Sequence, residues 1–199
     1  MINVENIKKF KSKNKTVLIR FDLNIPLTSE APVSDRISRA IDSIAELKAL
    51  NSKIVILSHL GRPKGKKDAV LSLKKILPQL EKAFDSKITF VDDCIGKEIE
   101  HNIKHASQDA IILLENCRFY KEEEDNDNDF AKSLSNLADV YINDAFACSH
   151  RSHASVAAIT NHLPSYCGKL LSEELLNLAE VIKKPTSPSI TIMGGSKIS

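Results

Sequence analysis

The sequence predicts an α/β fold: a doubly wound, mostly parallel six-stranded sheet with helices on both faces. Three observations predict it. Short β-branched apolar runs alternate along the chain with longer amphipathic stretches of helical period, the pattern of repeated βαβ units. The runs are apolar at consecutive positions, as in Ile54-Val55-Ile56-Leu57, which is how a strand buried on both faces reads. Each run then breaks into a polar loop rich in histidine, arginine, asparagine or aspartate, at the carboxyl end of the strand where open parallel sheets bind ligands.

Taken in order, Val4–Lys15 is lysine-rich and reads as a short helix or turn. Thr16–Phe21 is the first strand and ends in Asp22 and Asn24. Ser34 is a good N-cap for a helix over Asp35–Leu50, with Ile37, Ile41, Ile44 and Leu47 on one face. Lys53–Leu57 is the second strand, opening into Ser58, His59, Leu60, Gly61, Arg62 and Pro63. A helix over Leu71–Phe84 should be kinked by Pro78. Lys87–Val91 is a strand, Ile95–Ala106 a helix, and Ala110–Leu114 a strand leading to Glu115, Asn116 and Arg118. The acidic stretch Glu122–Asp129 reads as a solvated loop before a helix over Asp129–Leu137. The strand Asp139–Ile142 delivers Asn143, Asp144, His150 and Arg151, and Arg151–His162 reads as a helix. A long helix over Lys169–Lys184 carries the stripe Leu171, Leu175, Leu178 and Ile182. Pro185, Ser187 and Pro188 form a hinge before a last strand, Ser189–Met193, that ends in Gly194, Gly195 and Lys197.

Composition narrows the function classes. A chain of 199 residues can bury one sizeable core. A net charge of +2 leaves no global polycation to argue for nucleic acid. Met1–Phe10 has no apolar signal core, and no apolar run is long enough to span a bilayer, so a cytoplasmic protein with no membrane partner is expected. Cys94, Cys117, Cys148 and Cys167 lie far apart without a C-x-x-C pair, which fits reduced thiols better than zinc or a disulfide frame.

The arginines are more pointed. Among 28 basic residues, arginine occurs only as Arg20, Arg36, Arg39, Arg62, Arg118 and Arg151. Where lysine is the default cation, arginine persists where its planar fork is needed for carboxylate or phosphate. Three of them fall in strand-end loops, and Arg36 opens a helix. Competing motifs fail. Gly61 to Lys67 is one residue short of a phosphate-binding P-loop and lacks its Ser/Thr. Asp125, Asp127 and Asp129 start like a calcium loop, but Phe130 replaces the turn glycine and Asn136 the bidentate glutamate. His59, His150 and His153 lack the cysteine or carboxylate partners of a metal site, so no metal ligand is assigned. No nucleophile elbow is present. What remains is Asp22, Asn24, Arg36, His59, Arg62, Arg118 and Arg151, a rim suited to a small, multiply charged anion such as a phosphorylated carboxylic acid. An anion beside an imidazole favours the protonated ring, so affinity should rise as pH falls through the His59 titration.

The stretches RFDLNIPL, SHLGRPKG, LLENCRFYKEEE, VYINDAF, SHRSHAS and MGGSK resemble the phosphoglycerate kinase family in order and spacing, over essentially the whole chain. The resemblance implies a Rossmann-like N-terminal domain of a two-domain, monomeric, cytoplasmic glycolytic kinase. Such an enzyme moves a phosphoryl group between 1,3-bisphosphoglycerate and ADP, giving 3-phosphoglycerate and ATP with Mg2+. Carried over by motif, His59, Leu60, Gly61 and Arg62, with Arg118 and Arg151, would bind the non-transferred phosphate, and Asp22 and Asn24 the hydroxyl and carboxylate end. Arg36 and Lys197 would be the catalytic residues, lying against the transferring group. By the same resemblance, residues 1–184 would be the phosphoglycerate-binding domain, including an interdomain helix over 169–184. Residues 185–199 would be the hinge and first strand of a nucleotide-binding domain whose remainder, with Mg2+ and ATP/ADP, lies outside this sequence. The expectation is an N-terminal half that is inactive alone, with a stand-alone phosphoglycerate-binding module as the alternative. One departure stands beside the rim: Ala147, Cys148 and Ser149 occupy positions where the family often has Gly-Thr-Ala.

Overall fold

The computed structural model describes residues 13–26, 34–183, 187, 188, 190 and 192. Strands β1 (Thr16–Phe21), β2 (Lys53–Leu57), β3 (Thr89–Val91), β4 (Ile111–Leu114), β5 (Val140–Asp144) and β6 (Ser165–Cys167) form one six-stranded sheet in the order β3-β4-β2-β1-β5-β6. Every pairing is parallel. The helices are α1 (Asp35–Ala49), α2 (Leu77–Phe84), α3 (Lys97–His105), the single turn α4 (Lys121–Glu124), α5 (Asn128–Ser135) and α6 (Lys169–Lys183). Among the described residues, no helix is long and apolar enough to cross a membrane.

Consecutive apolar positions are explained by two cores. Val17, Ile19, Ile54, Ile56, Ile111, Leu113 and Ile142 join Ile37, Ile44, Leu47, Leu80 and Phe84 of α1 and α2. The alternate residues Leu18, Val55, Leu57, Ile112, Leu114 and Tyr141 join Ile99, Ile103, Phe130 and Leu134 of α3 and α5. Because side chains alternate across a strand, each run must be apolar throughout to serve both layers.

The differences from the sequence reading each have a local cause. Ile41 is 37% exposed, and Ser43 takes the buried place, donating from Oγ to Asp144 Oδ2 at 2.6 Å. Pro78 does not kink a long helix. The segment before it forms 3-10 turns at Ala69–Leu71 and Leu73–Ile76, and Pro78 sits in the first turn of α2, where its missing N–H leaves no bond unmade. The stretch 151–162 is not an α-helix; only Ala158–Asn161 forms a 3-10 turn. Three of its amides bond the acidic loop instead. Ala154 N donates to Glu123 O, Ser155 N to Glu123 Oε2 and Ala158 N to Asn126 Oδ1. β6 was invisible to pattern reading because Ser165-Tyr166-Cys167 is three residues long with no apolar run. In α6 only Leu171 and Ser172 are buried, and Leu178 and Ile182 of the expected stripe are exposed. The helix or turn expected over Val4–Lys15 and the strand expected over Ser189–Met193 lie largely outside the described residues.

Gly168 places α6. A Cβ there would lie 2.2 Å from Asp144 Cγ, so only glycine lets the chain pass over β5, and the Asp144 carboxylate accepts from Leu171 N at 3.1 Å. On the surface Arg39 pairs with Glu174 at 3.1 Å and Lys169 with Asp42, contacts that solvent screens.

The helix face is testable. Ile44→Ala should cost about 2–5 kcal/mol in urea unfolding, whereas Ile41→Ala should cost less than about 1 kcal/mol. Equal losses would mean that α1 presents the face expected from the sequence.

Candidate functional site

The loops that follow β1, β2, β4 and β5 converge at one edge of the sheet, where the winding reverses and β5 docks on the side of β1 opposite β2. That is where an open parallel sheet offers a crevice. Ser34 Oγ accepts from Arg36 N at 3.4 Å and caps α1, placing Arg36 at this edge, hydrogen-bonded to Asp22. Asn24 Oδ1 accepts from Gly61 N at 2.8 Å, fastening the loop after β1 to the loop after β2. Gly61 needs its φ of +63°, and a Cβ there would lie 2.7 Å from Leu71 Cδ2.

The loop after β4 supplies the second anchor. Asn116 Nδ2 donates to Leu60 O at 2.8 Å and to Leu71 O at 2.9 Å, and its Oδ1 accepts from Arg118 N at 3.1 Å. Arg118 is 2% exposed and donates from Nη1 to Gly61 O at 3.1 Å. Its Nε lies 3.5 Å from Glu124 Oε1, yet Nε and Nη2 are buried without a hydrogen-bond partner. An unsatisfied buried donor costs about 1–3 kcal/mol, and an anion at this edge would satisfy it. Arg151 is half-buried with Nε 3.3 Å from His150 Nε2. Arg62 is exposed and makes no hydrogen bond or ion pair among the described residues. Lys197 lies outside the described residues.

Asp22, His59 and Cys148 bring their donor atoms within 4.8 Å of one another. Cys148, one of the family departures, therefore lies on the floor of the rim; burial pushes its thiol up, against the nearby charges of Arg20, Arg118 and Arg151. Arg36 occupies Asp22 from one side, and His59 Nδ1 is engaged by Arg20. The trio offers one oxygen, one nitrogen and one sulfur beside several guanidiniums. That set does not fit Mg2+, which asks for oxygen ligands.

Three functional side chains escaped the sequence reading. Arg20 is fully buried and donates from Nε to Ser155 Oγ at 3.0 Å, from Nη1 to Phe21 O at 2.7 Å, and from Nη2 to His59 Nδ1 at 3.0 Å. Ser155 Oγ in turn donates to Glu123 Oε1 at 2.5 Å. Glu123, read as part of a solvated acidic run, is fully buried, with His153 Nδ1 3.7 Å away. Burial opposes its ionisation, but His153, the Arg20 charge and two bonds from Ser155 outweigh that and hold its carboxyl below the usual range. The signal for Arg20 was present, since an arginine between Ile19 and Phe21 interrupts an apolar strand. Glu123 carried none, because nothing separates it from Glu122 and Glu124 in sequence.

Arg20 also overturns the pH expectation for His59. The ring is 3% exposed. Burial first, then the charges of Arg20, Arg118 and Arg151, lower its pKa far below the ordinary 6.5. In the unliganded structure burial and these charges hold His59 toward its neutral form, against the protonated ring expected from the sequence.

A cavity of about 280 Å3 opens beside the rim, between Asp22, Arg36 and Arg39 on one side and Asp144, Leu170 and Glu174 on the other. A larger one, about 690 Å3, lies away from it along β3, lined by Lys67, Ser72, Phe90 and Glu115, and holds none of the arginines.

The family model for phosphoglycerate kinase matches residues 7–199. A phosphoglycerate kinase of Wolbachia pipientis subsp. Culex pipiens is 47% identical over 201 residues, covering 100% of this chain and 50% of the relative. One of Borrelia garinii subsp. bavariensis is 43% identical over 201 residues, covering 100% of this chain and 51% of the relative. The solved phosphoglycerate kinase of Coxiella burnetii superposes with a TM-score of 0.80 at 31% identity, covering 94% of this chain and 46% of that one. That of Pyrococcus horikoshii superposes with a TM-score of 0.82 at 28% identity, covering 93% and 47%. The chain thus spans about half the length of the curated relatives it matches. With the all-parallel sheet, the convergent loops and the full-length match in agreement, this chain belongs to the phosphoglycerate kinase family.

Proposed function

We propose that this chain holds 3-phosphoglycerate, or 1,3-bisphosphoglycerate, at the carboxyl edge of its sheet for phosphoryl transfer to and from a nucleotide. The observation that carries the reading is Arg118, a buried guanidinium whose Nη2 and Nε lack a hydrogen bond, Nε having only Glu124 at 3.5 Å, among loops that also bear Arg36, His59, Arg62 and Arg151. In this reading His59, Leu60, Gly61 and Arg62 with Arg118 and Arg151 receive the non-transferred phosphate. Asp22 and Asn24 receive the hydroxyl and carboxylate end. Arg36, now paired with Asp22, turns toward the group in transfer, and Lys197 approaches it from beyond the hinge.

The chemistry asks for position and charge rather than a base. A carboxylate oxygen of the acid attacks the phosphoryl group, or leaves it, with no proton to remove. Orientation of the acid and neutralisation of its charge are what this half can supply. In this reading Mg2+ and ATP/ADP are held by the nucleotide-binding domain of the whole enzyme rather than by the rim. In this reading residues 1–184 form the phosphoglycerate domain and residues 185–199 begin the nucleotide domain of a monomeric cytoplasmic glycolytic enzyme. In the second reading the chain is a phosphoglycerate-binding module without turnover of its own.

Two measurements test these statements. In calorimetric titration with 3-phosphoglycerate, Arg118→Ala should weaken binding by about ten- to a hundredfold, the loss of a charge-assisted hydrogen bond of about 1.5–3 kcal/mol. Arg62→Lys should also weaken it, because a point charge replaces a fork. Unchanged affinity in both would remove the rim as the site. Turnover of 1,3-bisphosphoglycerate with ADP and Mg2+ should be undetectable for this chain alone. Robust turnover would place a nucleotide site within these 199 residues and overturn the division proposed.

A further inference from the structure

We infer that Arg20 is a positioning residue whose guanidinium, donating to Nδ1, fixes His59 as a neutral ring with its hydrogen on Nε2. The inference deepens the proposed function and rests on it for what His59 does, though not for the state of the ring.

A guanidinium has five N–H donors, no acceptor, and does not give up its charge in a protein. Arg20 Nη2 lies 3.0 Å from His59 Nδ1, inside the structure, so Nδ1 must present its lone pair. A neutral imidazole that accepts at one nitrogen carries its hydrogen on the other. Proton uptake at Nδ1 would set N–H against N–H and a second charge against the first in a site closed to water. The neighbours that face the ring agree. Arg20 from β1, Arg118 from the loop after β4, and Arg151 and His153 from the loop after β5 all oppose a positive ring. Asp22 and Cys148 are the remaining titratable groups beside it, and Asp22 is already paired with Arg36.

Arg20 can do this because it cannot move. Its Nε is held by Ser155 Oγ, its Nη1 by Phe21 O and by Ser58 Oγ at 3.4 Å. Ser58 Oγ is itself fixed, donating to Phe21 O at 2.8 Å and accepting from Leu23 N at 3.0 Å. Glu123, reached through Ser155, balances the buried charge. An apolar or freely rotating residue at position 20 would leave His59 two tautomers and an open route to protonation. With Arg20, the ring offers any ligand one N–H, in one direction, at every physiological pH. The arrangement serves an anion that must be held identically whether or not it has just lost a phosphoryl group.

The experiment reads the ring directly. Two-bond proton–nitrogen spectra of the 15N-histidine-labelled chain, without ligand and with His59→Gln for assignment, should show His59 as the Nε2–H tautomer from pH 5 to 8.5. Finding Nδ1–H, or a titration in that range, would overturn the inference. The double variant Arg20→Met with Glu123→Gln strands no buried charge; in it His59 should exchange between tautomers or titrate. Arg20→Lys, which keeps the charge beside Glu123 but cannot hold Ser155 and His59 together, is the second variant should the first not fold. It should exchange tautomers too. An unchanged ring in a folded variant would assign the ring state to burial alone and sink the role of Arg20.

Stability gives an independent reading with a definite sign. Below the ordinary pKa of 6.5 the unfolded ring binds a proton that the folded ring does not, so folding weakens as pH falls below 6.5. His59 alone contributes up to about tenfold per pH unit in the unfolding constant, a slope that His59→Gln should remove. A slope unchanged by that substitution would contradict a neutral folded ring. The two proposals fail separately. A locked ring in a chain that does not bind 3-phosphoglycerate leaves the lock and ends the functional reading; a titrating ring in a chain that binds it does the reverse.

Discussion

A fully buried arginine in the middle of a parallel sheet is the constraint from which the site follows. A buried charge needs a counter-charge and hydrogen bonds nearby. Arg20 and Glu123 make no direct ion pair; they balance one another across Ser155, whose Oγ accepts from Arg20 Nε and donates to Glu123 Oε1. These residues come from β1, from α4 and from the loop after β5, three places far apart in sequence. Satisfying one charge thus draws two loops onto the carboxyl edge of the sheet. It also bears on why 151–162 gives up a helix, since the amides of Ala154, Ser155 and Ala158 are taken by Glu123 and Asn126.

Above this buried pair the rim has the opposite economy. Arg36 is neutralised by Asp22 and Arg118 only partly by Glu124, while Arg62 has no partner among the described residues. The buried cation and the rim cations differ physically: Arg20 is held through Nε, Nη1 and Nη2, whereas Arg118 keeps Nε and Nη2 without a hydrogen bond. Their proximity is also what makes the Asp22, His59 and Cys148 trio a poor place for a divalent cation.

Much of this was legible in the sequence. Consecutive apolar runs gave β1, β2 and β4 within a residue of their observed bounds, because strands buried twice have no polar face to blur the pattern. The rim residues Asp22, Asn24, His59, Arg118 and Arg151 could be named because each closes an apolar run. Long-range hydrogen bonds were not legible. Arg20 and Glu123 depend on partners more than a hundred and more than thirty positions away respectively, at Ser155. The His59 environment was hidden for the same reason: its burial, and Arg20 on β1, 39 positions off, come from tertiary packing. β6 was missed because a three-residue edge strand owes its place to pairing with β5 rather than to its own composition.

The helix α6 shows where such legibility ends. The apolar stripe of α6 is regular along its whole length, so periodicity treats its two halves alike. Structurally they differ. The first turn is tied to β5 through Asp144 and Gly168, to α1 through Lys169 and Asp42, and is buried at Leu171 and Ser172. Leu176, Leu178, Val181 and Ile182 are all exposed. A helix of this length is marginal on propensity alone, so its second half is held by continuity with the pinned first turn. Asp144 is thereby the residue on which α6 turns. It ends the strand that delivers Cys148 and Arg151 to the rim, and it accepts from both Ser43 of α1 and Leu171 of α6. Burial raises its pKa despite those bonds, so its charge is kept at a cost. That cost is consistent with its position, since one carboxylate joins the strand that builds the rim to the helix that leaves it.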